Sequence, residues 1–125
     1  MLFGKRRPLL LALCALPILT VGLGAQGVAG RLHIVVHVDV IPKFAADTGK
    51  LLQSYAADTR KDAGAQRVDV LVESGRPNHF TLIELWESRA AYEAHVAKEH
   101  TKKYRDTLFP WLGSPYDERF NEEFK

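Results

Sequence analysis

The chain has one cysteine, and Cys14 falls within its leading apolar stretch. A domain that begins after that stretch therefore has no disulfide, no thiolate nucleophile and no thiolate metal site. Acidic residues are missing from residues 1–30. That segment holds Lys5, Arg6 and Arg7, three of the 17 basic side chains, which leaves 14 basic against 15 acidic residues and a net charge of −1. Such a balance offers no basic field for nucleic acid. The leading apolar run, Leu9 to Gly24, is interrupted by Pro17 and falls short of the roughly 20 residues that span a bilayer. Internal repeats and low-complexity segments are absent from the rest.

What is present at the front is a positive cluster, a short apolar middle and the small residues AQGVAG. This pattern describes a secretory signal peptide over residues 1–29, with a cut after Gly27 or Ala29. The expectation is a periplasmic or secreted domain over residues 30–125, with no stable membrane association after cleavage. An uncleaved N-terminal tether is the alternative. Arg6-Arg7 fits a twin-arginine signal loosely, and Leu13 before Cys14 makes a poor lipoprotein box. One domain of about 95 residues has a thin core, and a homodimer would bury a second apolar face.

From Arg31 the chain alternates. Leu32, Ile34, Val36, Val38 and Val40 share one face of a strand over Arg31–Ile41, and His33, Val35, His37 and Asp39 share the other. Pro42 opens a helix whose stripe is Phe44, Thr48, Leu51, Leu52, Tyr55 and Thr59, with Gly64 as its C-cap. A second strand spans Arg67–Glu73. The cluster Ser74-Gly75-Arg76-Pro77-Asn78 turns the chain into a third strand over His79–Glu87. Ser88 caps a helix running to about Glu99. Thr101 caps a shorter one carrying Tyr104 and Leu108, and Tyr116 to Phe124 alternate as a last strand. The order β-α-β-β-α-(α)-β predicts an α+β, ferredoxin-like sheet with its helices on one face. Its free face suits a dimer in which two sheets close into an α/β barrel.

The chemistry concentrates in FTLIELWESRAAYEAHVAKEH, Phe80 to His100. Phe80, Leu82, Glu84 and Trp86 lie on one strand face. Beneath helices, Glu84 needs a partner or a cavity. Tyr92, His95 and Glu99 follow at helical spacing. Each residue has a plain structural reading: Trp86 as core, Glu84 as a paired carboxylate, the histidines as packed or surface groups. His33 and His37 lie about 13 Å apart along their strand and cannot share a metal. His79 sits beside a turn, open to water. His95 and His100 lack HxxxH or HExxH spacing, so no metal is expected there.

The combination of Phe80, Leu82, Glu84, Trp86, Ser88, Ala91, His95 and His100, with the Pro42-started helix and the closing LFPWLGSPYDERF, resembles the antibiotic biosynthesis monooxygenase domain. The resemblance covers about residues 32 to 122. It implies a dimeric α+β barrel with a pocket between sheet and helices. Family members include small monooxygenases that oxidise phenols or quinols with O2 and no bound cofactor. Others degrade haem with a strand-1 asparagine and a helix tryptophan. Here strand 1 has no asparagine, and His95 stands near the tryptophan position. A further group isomerises a sugar phosphate, for which the strand–helix face of this chain lacks a basic cluster. The expected function is an exported, cofactor-independent oxidation of a quinol or other electron-rich aromatic. His95 is the expected base and His100 the second candidate. Trp86, Glu84, Tyr104, Phe80 and Tyr55 are expected to line the pocket, with Glu84 orienting a histidine or the indole N–H. The competing expectation is a non-catalytic dimer that holds a small apolar ligand or haem in the same space.

Overall fold

The computed structural model describes Gly4 and residues 30–125. The expected signal peptide and its cleavage site lie outside the described residues. Four antiparallel strands form one sheet: β1 (Leu32–Asp39), β2 (Ala65–Glu73), β3 (Arg76–Trp86) and β4 (Asp117–Asn121), in the order β2-β3-β1-β4. Helix α1 (Ala45–Thr59) follows β1 after a single 3-10 turn at Pro42–Phe44. Helices α2 (Arg89–Val96) and α3 (Glu99–Leu108) lie between β3 and β4. This is the expected α+β, ferredoxin-like arrangement. Among the described residues no helix is long and apolar enough to cross a membrane.

The alternation seen in the sequence places the core. Leu32, Ile34, Val36 and Val38 of β1 are buried opposite Trp86, Glu84, Leu82 and Phe80 of β3. All three helices cover that face. Leu52 of α1 and Leu108 of α3 are fully enclosed beneath them, each such leucine stabilising the fold by about 1.5–3 kcal/mol. On the opposite face His33, Val35 and His37 of β1 and Thr81, Ile83 and Leu85 of β3 are half-exposed.

Several boundaries differ from the sequence expectation, each for a local reason. The first helix ends at Thr59 rather than at Gly64. Arg60 leaves it to donate two guanidinium bonds, at 2.6 and 3.1 Å, to the Val68 carbonyl of β2. Gly64 instead takes φ 85° in the turn into β2, where a Cβ would stand 2.5 Å from that of Ala91. Strand β3 starts at Arg76, so the hairpin turn shrinks to Ser74-Gly75, with Gly75 at φ 79°. Pro77 is tolerated because residues 77–79 fall in an irregular stretch with no register partner on β2. Ser88 caps α2 as expected, its Oγ accepting from the Ala91 N–H at 3.1 Å. Thr101 does not cap α3: it is buried inside that helix, and Lys98 holds the cap position with no side-chain bond. Strand β1 stops at Asp39 and β4 covers only Asp117–Asn121. His79 is only partly open to water, and its Nδ1 lies 2.7 Å from Asp39 across the β1–β3 register.

Candidate active site

Strand alternation turns Glu84 and Trp86 beneath the helices, with Glu84 between Ile34 of β1 and Val68 of β2. Glu84 is 2% exposed, so its oxygens must find donors. The Trp86 indole N–H donates to Oε2 at 2.8 Å. On Oε1 the Tyr55 hydroxyl, brought by α1, lies at 3.0 Å. The same hydroxyl is 2.9 Å from Nε2 of His95, carried by α2. Glu84 thus touches no histidine directly, contrary to one expected role. It reaches His95 through Tyr55.

The chain of contacts continues outward. Nδ1 of His95 lies 2.6 Å from Oδ2 of Asp62, in the turn between α1 and β2. Nε2 of His100 approaches the same oxygen at 2.7 Å, and Lys98 donates to Oδ1 at 2.6 Å. The Thr101 hydroxyl donates to the His95 carbonyl at 2.8 Å, which fixes the bend between α2 and α3. Burial acts to raise the Asp62 pKa, but the bonds from Lys98, His95 and His100 outweigh it and hold the carboxyl at about 2. Glu84 is pushed the other way: burial raises its pKa against the bonds from Trp86 and Tyr55. Burial also lowers that of His95, opposed by Asp62, and keeps the Tyr55 hydroxyl protonated.

Rings surround this chain. Tyr104 stacks on Tyr55 with centroids 3.9 Å apart, and Trp86 lies 4.8 Å from the His95 ring. Indole and imidazole therefore converge as a pocket wall and its base would, but the space between them is filled rather than hollow. Trp86 and His95 line none of the three clefts that follow. The cleft that meets this chain measures about 140 Å³ and lies between α1 and α3. Tyr55, His100 and Tyr104 form its inner wall, with Leu51 beside them and Asp58 and Lys103 at the rim. Phe80 is not in it. That residue belongs to a groove of about 340 Å³ lined by Gly49, Ala56 and Val70, roughly 13 Å along β3 from Glu84 at 3.3 Å per residue. A third cleft, of about 310 Å³, lies over Tyr92, Arg105, Glu118 and Phe120.

A family model described as antibiotic biosynthesis monooxygenase matches residues 31–107. The chain belongs to the antibiotic biosynthesis monooxygenase family. Similar solved structures include a crystal structure of an antibiotic biosynthesis monooxygenase, 21% identical, with 75% of this chain and 99% of that one covered at a TM-score of 0.72. Rv0793 from Mycobacterium tuberculosis is 21% identical over 77% of this chain and 97% of its own, with a TM-score of 0.71. PA3566 from Pseudomonas aeruginosa is 20% identical over 78% and 98%, with a TM-score of 0.72. At these identities the likeness is one of fold. No curated protein matches the chain.

On this antibiotic biosynthesis monooxygenase scaffold, Asp62, Lys98 and Thr101 are the site residues that sequence reasoning passed over. Asp62 sits in Lys61-Asp62-Ala63-Gly64, which in sequence reads as the last turn of the first helix. Its burial appears only when the α2–α3 bend docks on it. Asp62, His95 and His100 offer donor atoms within 4.8 Å of one another, the set a divalent ion would use. Two features speak for a hydrogen-bonded hub instead. The Lys98 ammonium already occupies the carboxylate's other oxygen. An ion on Nε2 of His100 would also force a proton onto Nδ1, a buried atom with no acceptor among the described residues.

Proposed function

We propose that this domain is a small monooxygenase that uses O2 to oxidise a single-ring phenol or hydroquinone, with His100 as the base. The observation that carries the reading is the bare Nδ1 of His100. Asp62 is ionised and can only accept, so the Nε2 facing it carries the proton. The neutral ring then keeps its lone pair on Nδ1, which is buried and has no partner among the described residues, on a side chain that lines the cleft. His95 has the same carboxylate partner, but its other nitrogen is taken by Tyr55 and its side chain is fully enclosed. The base role expected for His95 therefore passes to its neighbour.

Nδ1 of His100 takes the phenol proton. The phenolate passes one electron to O2, giving an aryloxyl radical and superoxide, which join as a C–O bond on the ring. The imidazolium returns its proton to the distal peroxide oxygen. The O–O bond then breaks as the ring C–H proton leaves. One oxygen stays as a carbonyl and the other departs as water, so phenol plus O2 gives quinone plus water. The cleft volume supports a single ring, since a cavity of roughly 150 Å³ takes one benzene. Lys103 at the rim favours the anion. A haem macrocycle is far larger than this cleft, which favours the enzyme over a haem carrier.

Export and pairing complete the proposal. The leading segment would direct the domain to the periplasm, and the half-exposed Val35, Ile83 and Leu85 would pack sheet to sheet in a homodimer. Equilibrium sedimentation at the mass of two chains supports the pairing, and a single-chain mass counts against it. For the reaction, oxygen uptake is measured on a panel of one-ring and fused-ring hydroquinones. One-ring substrates should consume one O2 per quinone without free peroxide, and His100→Ala should lower kcat by about 10²–10⁴. A folded protein with no quinol-dependent uptake would sink the reading.

A further inference from the structure

The Tyr55 hydroxyl has one proton and two polar neighbours, Oε1 of Glu84 and Nε2 of His95. Asp62 requires a proton on Nδ1 of His95. Two complete arrangements satisfy every contact. In the first, Glu84 is ionised, Tyr55 donates to it, and an imidazolium at His95 donates from Nε2 to the Tyr55 oxygen. In the second, Glu84 is a carboxylic acid that donates to the Tyr55 oxygen, and Tyr55 donates to Nε2 of a neutral His95. Both hold the same number of protons.

Burial separates them. The first places opposite charges on Glu84 and His95, groups 2% and 1% exposed, with a tyrosine between them. The second places no charge on either. Glu84 is faced by the Trp86 N–H from its own strand and, at longer range, by Glu118 of β4 and Arg105 of α3, which pair with each other. Asp62 would favour an imidazolium at His95, but Lys98 and His100 already serve it. The opposite shifts of the two buried groups agree with this choice.

We propose that Glu84 is a positioning residue: a neutral acid whose single proton orients Tyr55 and His95, so that every donor in the chain points toward Asp62. Its consequence for catalysis rests on the proposed function, whereas the arrangement itself is a property of the free protein. A neutral His95 adds no charge beside His100, whose ring centroid is 5.3 Å away, and leaves the Lys98 ammonium as the cation on their shared carboxylate. The far end of the chain thereby fixes the proton arrangement beside the proposed base.

Histidine-selective ¹⁵N NMR of the free protein at neutral pH reads the arrangement directly. His95 should be neutral and protonated on Nδ1. In Glu84→Gln the amide can accept from Trp86 and donate to Tyr55, so the His95 signals should stay in that tautomer, and the infrared band of a buried carboxylic acid should vanish. An imidazolium at His95 in the wild type would overturn the proposal, as would its appearance as a neutral ring only in Glu84→Gln. Tyr55→Phe removes the link but keeps the ring on Tyr104. It should leave the His95 Nδ1 proton directed at Asp62, shift the ¹⁵N resonance of Nε2, which loses its tyrosine partner, and lower kcat about tenfold with KM unchanged. Loss in KM alone would make Tyr55 a packing residue. Failure of oxygen uptake in the wild type would leave the NMR result standing, so the two readings fail separately.

Discussion

Removal of the Asp62 carboxylate tests the hub most directly. Three donors converge on it, and they are not equal. The His95 N–H is fully enclosed, so Asp62→Ala strands a buried donor at about 1–3 kcal/mol. The side chain of His100 is 25% exposed, and water can replace its partner at a loss nearer 1 kcal/mol. That of Lys98 is 47% exposed and adds at most about 1 kcal/mol after screening. The sum is roughly 3 kcal/mol of folding stability at pH 7. Linkage gives the same size independently. A carboxyl held at about 2 in the folded state, against about 3.9 unfolded, contributes about 2.5 kcal/mol.

The sign follows from the depressed value. The stabilisation is complete above about pH 4 and is lost as pH falls through about 2. Urea unfolding of wild type, Asp62→Ala and Asp62→Asn, followed by tryptophan fluorescence from pH 7 to pH 2, isolates the effect. The difference between wild type and Asp62→Asn should shrink steadily below pH 4, because other carboxylates cancel in the comparison. Two results would refute the reasoning: an Asp62→Ala protein within about 0.5 kcal/mol of wild type at pH 7, or a wild-type-minus-Asn difference that does not change with pH.

The turn glycines predict a contrast. Gly64→Ala meets both a positive φ and a Cβ contact of 2.5 Å with Ala91, so it should lower stability by about 2–4 kcal/mol in chemical denaturation. Gly75→Ala has open space at a similar φ and should lose only about 1 kcal/mol. Equal losses at the two sites would show that the close approach at Gly64 relaxes freely. Ser88→Ala should destabilise by about 1 kcal/mol through the lost cap, and Ser88→Asp should restore most of it; an Asp variant no better than Ala would remove the capping role.

The strands were legible because alternation reports burial directly. Val36 and Leu82 read as core and are core. Helix ends were less legible, since they depend on partners elsewhere in the chain. Nothing near Thr59 announces a stop, and Arg60 turns away because the Val68 carbonyl waits on β2. Part of the site was legible for the same reason as the strands. Glu84 between Leu82 and Trp86 is a carboxylate on an apolar face, and such a residue must have donors. Which donors it has could not be read locally, because Tyr55 arrives from a helix 29 residues earlier. Phe80 shows the reverse error. It shares the strand face of Glu84, but a strand is long enough to place two members of one face in different clefts.

The choice between the two histidines turns on the same distinction between face and surroundings. Both rings direct a protonated nitrogen at one carboxylate oxygen, at 2.6 and 2.7 Å, so each neutral ring has its lone pair on the opposite nitrogen. In His95 that lone pair meets a tyrosine hydroxyl inside the core. In His100 it meets no partner among the described residues, and the side chain lines a space the size of one aromatic ring. Proximity to Trp86 favours His95, and proton accounting favours His100. A base must have an unoccupied lone pair within reach of its substrate, and on that ground the proposed base is His100. In that proposal His95 is the neutral donor that helps hold Asp62 in place.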